Sequence, residues 1–239
     1  MRGRRWRLVR RVPMLSLATA PLVLAGLWMT FQHKPGWYRP IELDDAGMRR
    51  VRAEATGVVD HVSDKIAQAL PFDLVLDDRS VSEWLATLAA LSPEMADRIP
   101  KAMSRPAIRF DDGQMRMGVL VDADGWQAIL GVCVTLRVSH DGRSIHIALT
   151  RIQGGSLPVP RAILARLFDR LLPYARQRWA GEEDEGTAAR YIRDVRSVDD
   201  LFESVEVRNR FVWPNGDRPF RIDSIEMDDG ELRLRIEPL

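Results

Sequence analysis

Catalysis by side chains draws mainly on histidine, cysteine and paired carboxylates, and this chain is sparing with the first two. It has four histidines, His33, His61, His140 and His146, and one cysteine, Cys133. A serine or cysteine nucleophile needs a histidine or equivalent base beside it. The Gly154-Gly155-Ser156-Leu157-Pro158 stretch lacks the second glycine of a nucleophile elbow and runs into a proline. There is no P-loop, dinucleotide fingerprint, His-Glu-x-x-His or Cys-x-x-Cys pattern. His61 has no second histidine or carboxylate at metal-ligand spacing, so no metal site is expected. Asp111-Asp112 is an acid pair, but the glycine after it marks a solvated turn tip. Cys133 sits in an apolar alternating run and reads as a small buried hydrophobe. This inventory yields no catalytic residue, cofactor or metal.

Apolar residues offer a second kind of chemistry, the sequestering of a greasy ligand. Ile163, Leu167 and Leu171 recur at helical spacing, while Met115, Met117, Val119 and Phe211 lie on alternating, strand-like runs. Such residues could wall an apolar pocket, with methionine as an adaptable lining. The same residues could equally close a solid core.

These candidates must be carried by elements, and the chain is punctuated clearly enough to propose them. Residues 1–11 carry six arginines and no acid, and residues 12–31 carry no charged side chain. Twenty residues at about 1.5 Å rise cover a hydrocarbon core of roughly 30 Å, so 12–31 reads as a single transmembrane anchor. A cleaved signal peptide, with Ala18-Thr19-Ala20 as the cleavage site, is the rival; it leaves a short apolar region of Val12 to Leu17. The positive-inside rule keeps residues 1–11 cytoplasmic and exports the chain beyond the anchor. With a formal charge of +1 overall and six arginines at the start, the remainder carries about −5, a poor match to nucleic acid.

After a spacer over residues 32–43, the extracytoplasmic part, 44–239, reads as one α+β domain. Met48, Val51, Ala55, Val58, Val62 and Ile66 keep a helical period behind a cap at Asp44 or Asp45. Phe72, Leu74 and Leu76 form a strand, and Ser80 with Glu83 suggests a capping box opening the next helix. From Pro106 the period becomes two, broken at Asp112-Gly113, Asp124-Gly125 and Asp141-Gly142. Asp-Gly between alternating runs is the signature of tight hairpins, so a four-strand antiparallel meander is expected. Gly154, Gly155, Pro158 and Pro160 then lead into an amphipathic helix ending near Trp179. Further strands run to the C-terminus, where Ile225 to Leu234 (IEMDDGELRL) echoes Ile108 to Met117 (IRFDDGQMRM).

The anchor, the strand and helix of Phe72 to Leu88 (FDLVLDDRSVSEWLATL), and the meander ending in Gly155-Ser156-Leu157-Pro158-Val159-Pro160 resemble membrane-anchored bacterial proteins of the YpmS-like group. More loosely, they are similar to TULIP-type lipid-binding modules. The resemblance implies a curved antiparallel sheet wrapped on a long helix, with a groove for acyl chains. The expectation is a single-pass cell-membrane protein, N-terminus cytoplasmic, whose exported domain binds a lipid or other apolar ligand. The alternative is a non-catalytic scaffold or accessory subunit docking an envelope protein. The partners implied are the bilayer through 12–31, a lipid ligand and an envelope protein.

Overall fold

Asp112-Gly113 makes the tight turn its chemistry predicts, whereas Asp141-Gly142 lies in a five-residue loop, 139–143, where only Gly142 has positive φ. In the computed structural model, which describes residues 25–91, 103–123, 125–179, 196–213 and 218–239, Met103–Asp111 (β2), Gln114–Ala123 (β3), Trp126–Val138 (β4) and Ser144–Gly154 (β5) form a continuous antiparallel meander. Asp112 and Gly113 both adopt positive φ, +51° and +70°, the pair of left-handed residues that a type I′ turn needs. Leu157–Pro158 (β6) and Val205–Arg208 (β7) share the far edge of β5, so this is the larger sheet.

A smaller sheet takes its strands from both ends of the described chain. Phe72–Asp77 (β1) pairs with Glu231–Pro238 (β10), which pairs with Pro219–Asp228 (β9), which pairs with Phe211–Val212 (β8). The α+β class and antiparallel pairing therefore stand. Val205, Val207, Phe211 and Trp213 alternate in the sequence as one strand would, but the run is divided: β7 belongs to the larger sheet and β8 to the smaller. The change of sheet falls at Asn209, which is 4% exposed. Its amide donates to the carbonyls of Gly142 (2.9 Å) and Ile222 (2.7 Å), and its carbonyl accepts from Ile222 N–H (2.9 Å). A buried amide satisfied on both sides ties the β4–β5 loop to β9.

Asp45–Ala67 (α1) is capped by Asp44, whose carboxylate accepts from Gly47 N–H at 2.7 Å. Its Val62 and Ile66 pack on Phe72, Phe220 and Ile236 of the smaller sheet, with Phe211 and Trp213 at the margin. Asp78–Leu91 (α2) follows β1 without a loop. The Ser80–Glu83 capping box does not form. Asp77 caps instead, accepting from the Ser80 N–H (2.8 Å) and hydroxyl (2.7 Å), while Glu83 is drawn to Arg79 and Arg50. The helix begins directly at the strand end, which leaves the last strand residue as the only one in position to cap. Val81 and Leu85 of α2 join Ile108, Phe110, Met115, Met117, Met227, Ile225 and Leu232 in the core that binds the two sheets.

The echoed hairpins lie at the centre of this core. Gly113 N–H donates to the Met227 carbonyl (2.8 Å), and Gly230 N–H donates to the Phe110 carbonyl (2.9 Å). Gly113 and Gly230 are matching positions of the echo, as are Phe110 and Met227, so the bonds are reciprocal and relate the hairpins by a local pseudo-twofold. Asp229 and Gly230 repeat the paired positive φ, +48° and +85°.

Residues 25–32 are helical, and residues 33–41 pack down rather than hang as a tether. Tyr38 is 2% exposed and its hydroxyl donates to the Arg105 carbonyl at 2.6 Å. Trp37 lies over two mid-strand glycines paired across β3 and β4, Gly118 and Gly131. A Cβ on Gly118 would stand 2.7 Å from the indole. Glycine inside a strand marks such close approach. Arg161–Trp179 (α3) and Val198–Phe202 (α4) complete the order; α4 has a full capping box between Ser197 and Asp200. Among the described residues no helix is long and apolar enough to cross a membrane, and residues 12–24 of the expected anchor lie outside them. The sequence also suggests a second helical start at Ser92-Pro93-Glu94, a solvated acidic loop over 181–186 and a weaker helical segment from Thr187 to about Arg196; residues 92–102 and 180–195 lie outside the described ones as well.

Candidate functional site

The apolar-ligand candidates are distributed over separate parts of the fold. Met115 and Met117 pack in the core between the sheets, and Phe211 packs in the other core under α1. Val119 is half-buried on β3 opposite Leu130 of β4. Ile163 is 49% exposed, while its neighbour Leu164 is buried. The side chains of Leu167 and Leu171 lie outside the described set.

The histidines are equally dispersed. The His61 ring meets Phe72 edge-on, with centroids 6.4 Å apart. His140 is exposed at the β4–β5 turn, and His146 stands in register between Arg137 and Glu206. Among the described residues no group of three metal-ligating side chains converges. Cys133 is buried and unpaired. Burial pushes its thiol pKa up, against the pull of the Arg116 and Arg151 guanidiniums, which keeps it a protonated thiol.

A wide cleft lies elsewhere, with charged side chains set among apolar walls. It has a volume of about 610 Å³ and opens between the packed N-terminal segment (Trp37, Arg39, Ile41), the first turns of α2 (Asp78, Arg79, Ser82) and β2 (Ile108, Arg109). Local chemistry fixes each wall. Ser82 is buried; its hydroxyl donates to the Asp78 carbonyl (2.7 Å) and accepts from Ile108 N–H (2.9 Å), clamping α2 to β2. Asp78 N–H donates to the Gly230 carbonyl (2.7 Å), which seats the helix start on the second hairpin. Arg109 Nη1 reaches Asp78 Oδ2 at 2.7 Å, and Arg79 Nε reaches Glu83 Oε1 at 3.0 Å. The Arg39 guanidinium has no ion pair or hydrogen bond with a described residue.

Beyond Arg109 the positive charge continues across the sheet. Arg109 is registered opposite Arg116, Arg116 opposite Cys133, and Cys133 opposite Arg151. The row therefore carries three arginines on four adjacent strands. Arg116 lies 3.5 Å from Asp111 and 3.8 Å from Asp112. A second cleft, of about 360 Å³, lies on the outer face of the smaller sheet and is lined by Asp73, Val75, Glu226, Arg233 and Arg235. Both of its arginines have acid partners, Arg235 with Asp73 at 3.0 Å and Arg233 with Glu231 at 2.6 Å.

Sequence reading did not single out Arg39, Arg79 or Arg109. Their one sequence signal is the arginine placed opposite another arginine across a tight Asp-Gly hairpin, Arg109 and Arg116, which the turn alone puts in register.

No known protein family, curated protein or solved structure matches the chain.

Proposed function

We propose that this chain is a single-pass, membrane-anchored extracytoplasmic protein acting without catalysis, as a scaffold or accessory subunit that presents its α+β domain to a partner in the cell envelope. The supporting observation is how the end of the uncharged N-terminal segment meets the domain. Leu27, Trp28 and Met29 are exposed on the helical turn, while Phe31 packs against Gly154 and Gly155, where an added Cβ would overlap it. The Thr30 carbonyl accepts from Ser156 N–H at 3.2 Å, and the Phe31 ring lies 6.1 Å from that of Trp126. An apolar helix keyed to the β5–β6 turn in this way would hold the domain against the bilayer surface in one orientation, which suits docking better than diffusing as a carrier.

The lipid-carrier reading has less support, because Met115 and Met117 pack, partly buried, against one core and Phe211 against another, so the three do not line one groove. Topology is tested by fusing alkaline phosphatase, active only after export, to the C-terminus of the full chain. Activity is expected; a fusion that accumulates at full length but stays inactive would sink the proposal. Crosslinking in intact cells then separates the two readings, a single stoichiometric protein adduct favouring docking and a bound lipid favouring the carrier.

A further inference from the structure

The two echoed hairpins act as an internal control on charge. In the second, Arg233 is registered opposite Glu226, so the cross-strand pair is of opposite sign. In the first, the matching positions hold Arg116 opposite Arg109. Like charges directly opposite on a sheet destabilise it. The fold places the arginine pair where the pseudo-symmetric alternative carries an acid, and it does so beside the 610 Å³ cleft.

The donors there are under-used. A guanidinium offers five N–H groups. Arg109 gives one ion-pair contact to Asp78, Arg79 gives one to Glu83, and Arg39 gives none to a described residue. Arg50, outside the cleft, bridges Glu83 at 3.3 Å and Glu54 at 3.6 Å. Of the three arginines that line the cleft, two have one acid each and Arg39 has none among the described residues, in a domain region whose overall charge is negative. Arg39, Arg79 and Arg109 come from three different elements, the N-terminal segment, α2 and β2. A carboxylate presents two oxygens in one plane, whereas a phosphate presents oxygens in several directions, which suits guanidiniums arriving from three elements. The cleft volume falls in the range of about 300–1,000 Å³ typical of ligand sites and exceeds what a bare phosphate fills. Trp37, Pro40, Ile41 and Ile108 supply apolar walls for the remainder.

We propose that the cleft between Trp37, Arg39, Arg79 and Arg109 binds a phosphate ester carrying a ring or other apolar group. The ester is either the headgroup of an anionic phospholipid or a soluble compound. The inference goes beyond the membrane-scaffold reading and does not need it, since the site would bind a soluble phosphate ester in either topology.

The test uses the full chain in phosphatidylcholine nanodiscs, titrated by calorimetry with phenyl phosphate and, separately, with glycerol 3-phosphate. Saturable binding is expected, tighter for the ring-bearing ester. Arg39→Ala, an exposed position whose loss leaves the fold intact by circular dichroism, is expected to weaken binding by on the order of tenfold, the usual worth of one charge-assisted contact. Arg235→Ala removes the same charge from the outer face of the smaller sheet and is expected to leave binding unchanged. Repeating the titration in discs containing phosphatidylglycerol identifies the source. A competing headgroup lowers the apparent affinity for phenyl phosphate, and an unchanged affinity assigns the site to a soluble ester. Absence of binding by either probe in phosphatidylcholine discs, or equal losses in Arg39→Ala and Arg235→Ala, overturns the proposal.

Discussion

The hairpins β2–β3 and β9–β10 share a sequence recipe, a turn type and a pair of reciprocal backbone hydrogen bonds, yet they have different surroundings. The second is self-sufficient: its outward arginine meets a glutamate, and α1 covers its sheet with a regular apolar stripe. The first is dependent: its outward arginines face each other, and the face they share is covered farther along by an irregular segment laid over glycines. One local recipe can therefore set opposite charges across the strands in one place and like charges in another, where the arginines turn to acids outside the pair, Arg109 to Asp78 and Arg116 to Asp111 and Asp112. What distinguishes them is the residue placed opposite, and that is set by register.

The two hairpins meet at a shared centre, where substitution has its largest effect. Phe110 is 1% exposed and Met227, its counterpart, is 4% exposed, and both fill the core between the sheets. Phe110→Ala is expected to cost about 3–5 kcal/mol and Met227→Ala about 2–5 kcal/mol in denaturant unfolding. Similar effects would mean that both hairpins belong to one cooperative unit. A Met227→Ala protein that melts in two steps would show instead that the smaller sheet unfolds by itself.

The shared recipe was legible in the sequence, whereas its packing was not. Asp112-Gly113 and Asp229-Gly230 announce hairpins because consecutive residues at positive φ favour those residue types. The bonds from Gly113 to Met227 and from Gly230 to Phe110 join residues over a hundred positions apart, and no periodicity encodes them. Asp44 was readable as a cap; Ser80 and Glu83 satisfied the pattern, but the chain gave the role to Asp77 because strand and helix abut. The packed segment at Trp37 and Tyr38 was the least legible element. It has no periodicity of its own, and its only signal is a mid-strand glycine on each of two neighbouring strands. The cleft inherits this opacity, since Arg39 belongs to that segment and Arg79 and Arg109 to elements that meet only in the fold.

That covering segment is what the second hairpin lacks, so disturbing it sharpens the contrast. Gly118→Val would suit the strand but push its Cβ into Trp37 and, at 3.0 Å, into Tyr38. The expected cost is about 1–3 kcal/mol, with residues 33–41 becoming sensitive to limited proteolysis while the core between the sheets stays cooperative. Unchanged protection would show that the segment repacks without loss.

A smaller effect separates the two turns. Both Gly113→Ala and Gly230→Ala put an L side chain at positive φ, at about 1–2 kcal/mol each. At Gly113 the new Cβ meets nothing within 4 Å, but at Gly230 it would stand 3.2 Å from both Arg109 Nη1 and Asp78 Oδ2. Gly230→Ala is therefore expected to be the more destabilising of the two. Because Arg109 and Asp78 line the cleft, it is also expected to weaken phenyl phosphate binding, which Gly113→Ala leaves alone.

The smallest effect lies at the corner joining the hairpins, where β1 ends on the second and α2 reaches over to the first. Burial pushes the Asp77 carboxyl pKa up, but hydrogen bonds from the Ser80 hydroxyl and N–H outweigh it, and the net shift is downward. A carboxylate with a depressed folded-state pKa contributes stability that is fully present above its unfolded value of about 3.9. That contribution is lost as pH falls through the lower folded value. Asp77→Asn keeps a capping oxygen without the charge, so at neutral pH it is expected to cost well under the ~1 kcal/mol typical of losing a cap to alanine. The difference from wild type should shrink as pH falls below the unfolded value and vanish once Asp77 is protonated in the folded protein. Unfolding curves of both proteins from pH 7 downward test this. A gap that persists undiminished at the acid end would mean that Asp77 holds α2 by shape rather than charge, and that the corner is set by Asp78 on Gly230 and Ser82 on Ile108.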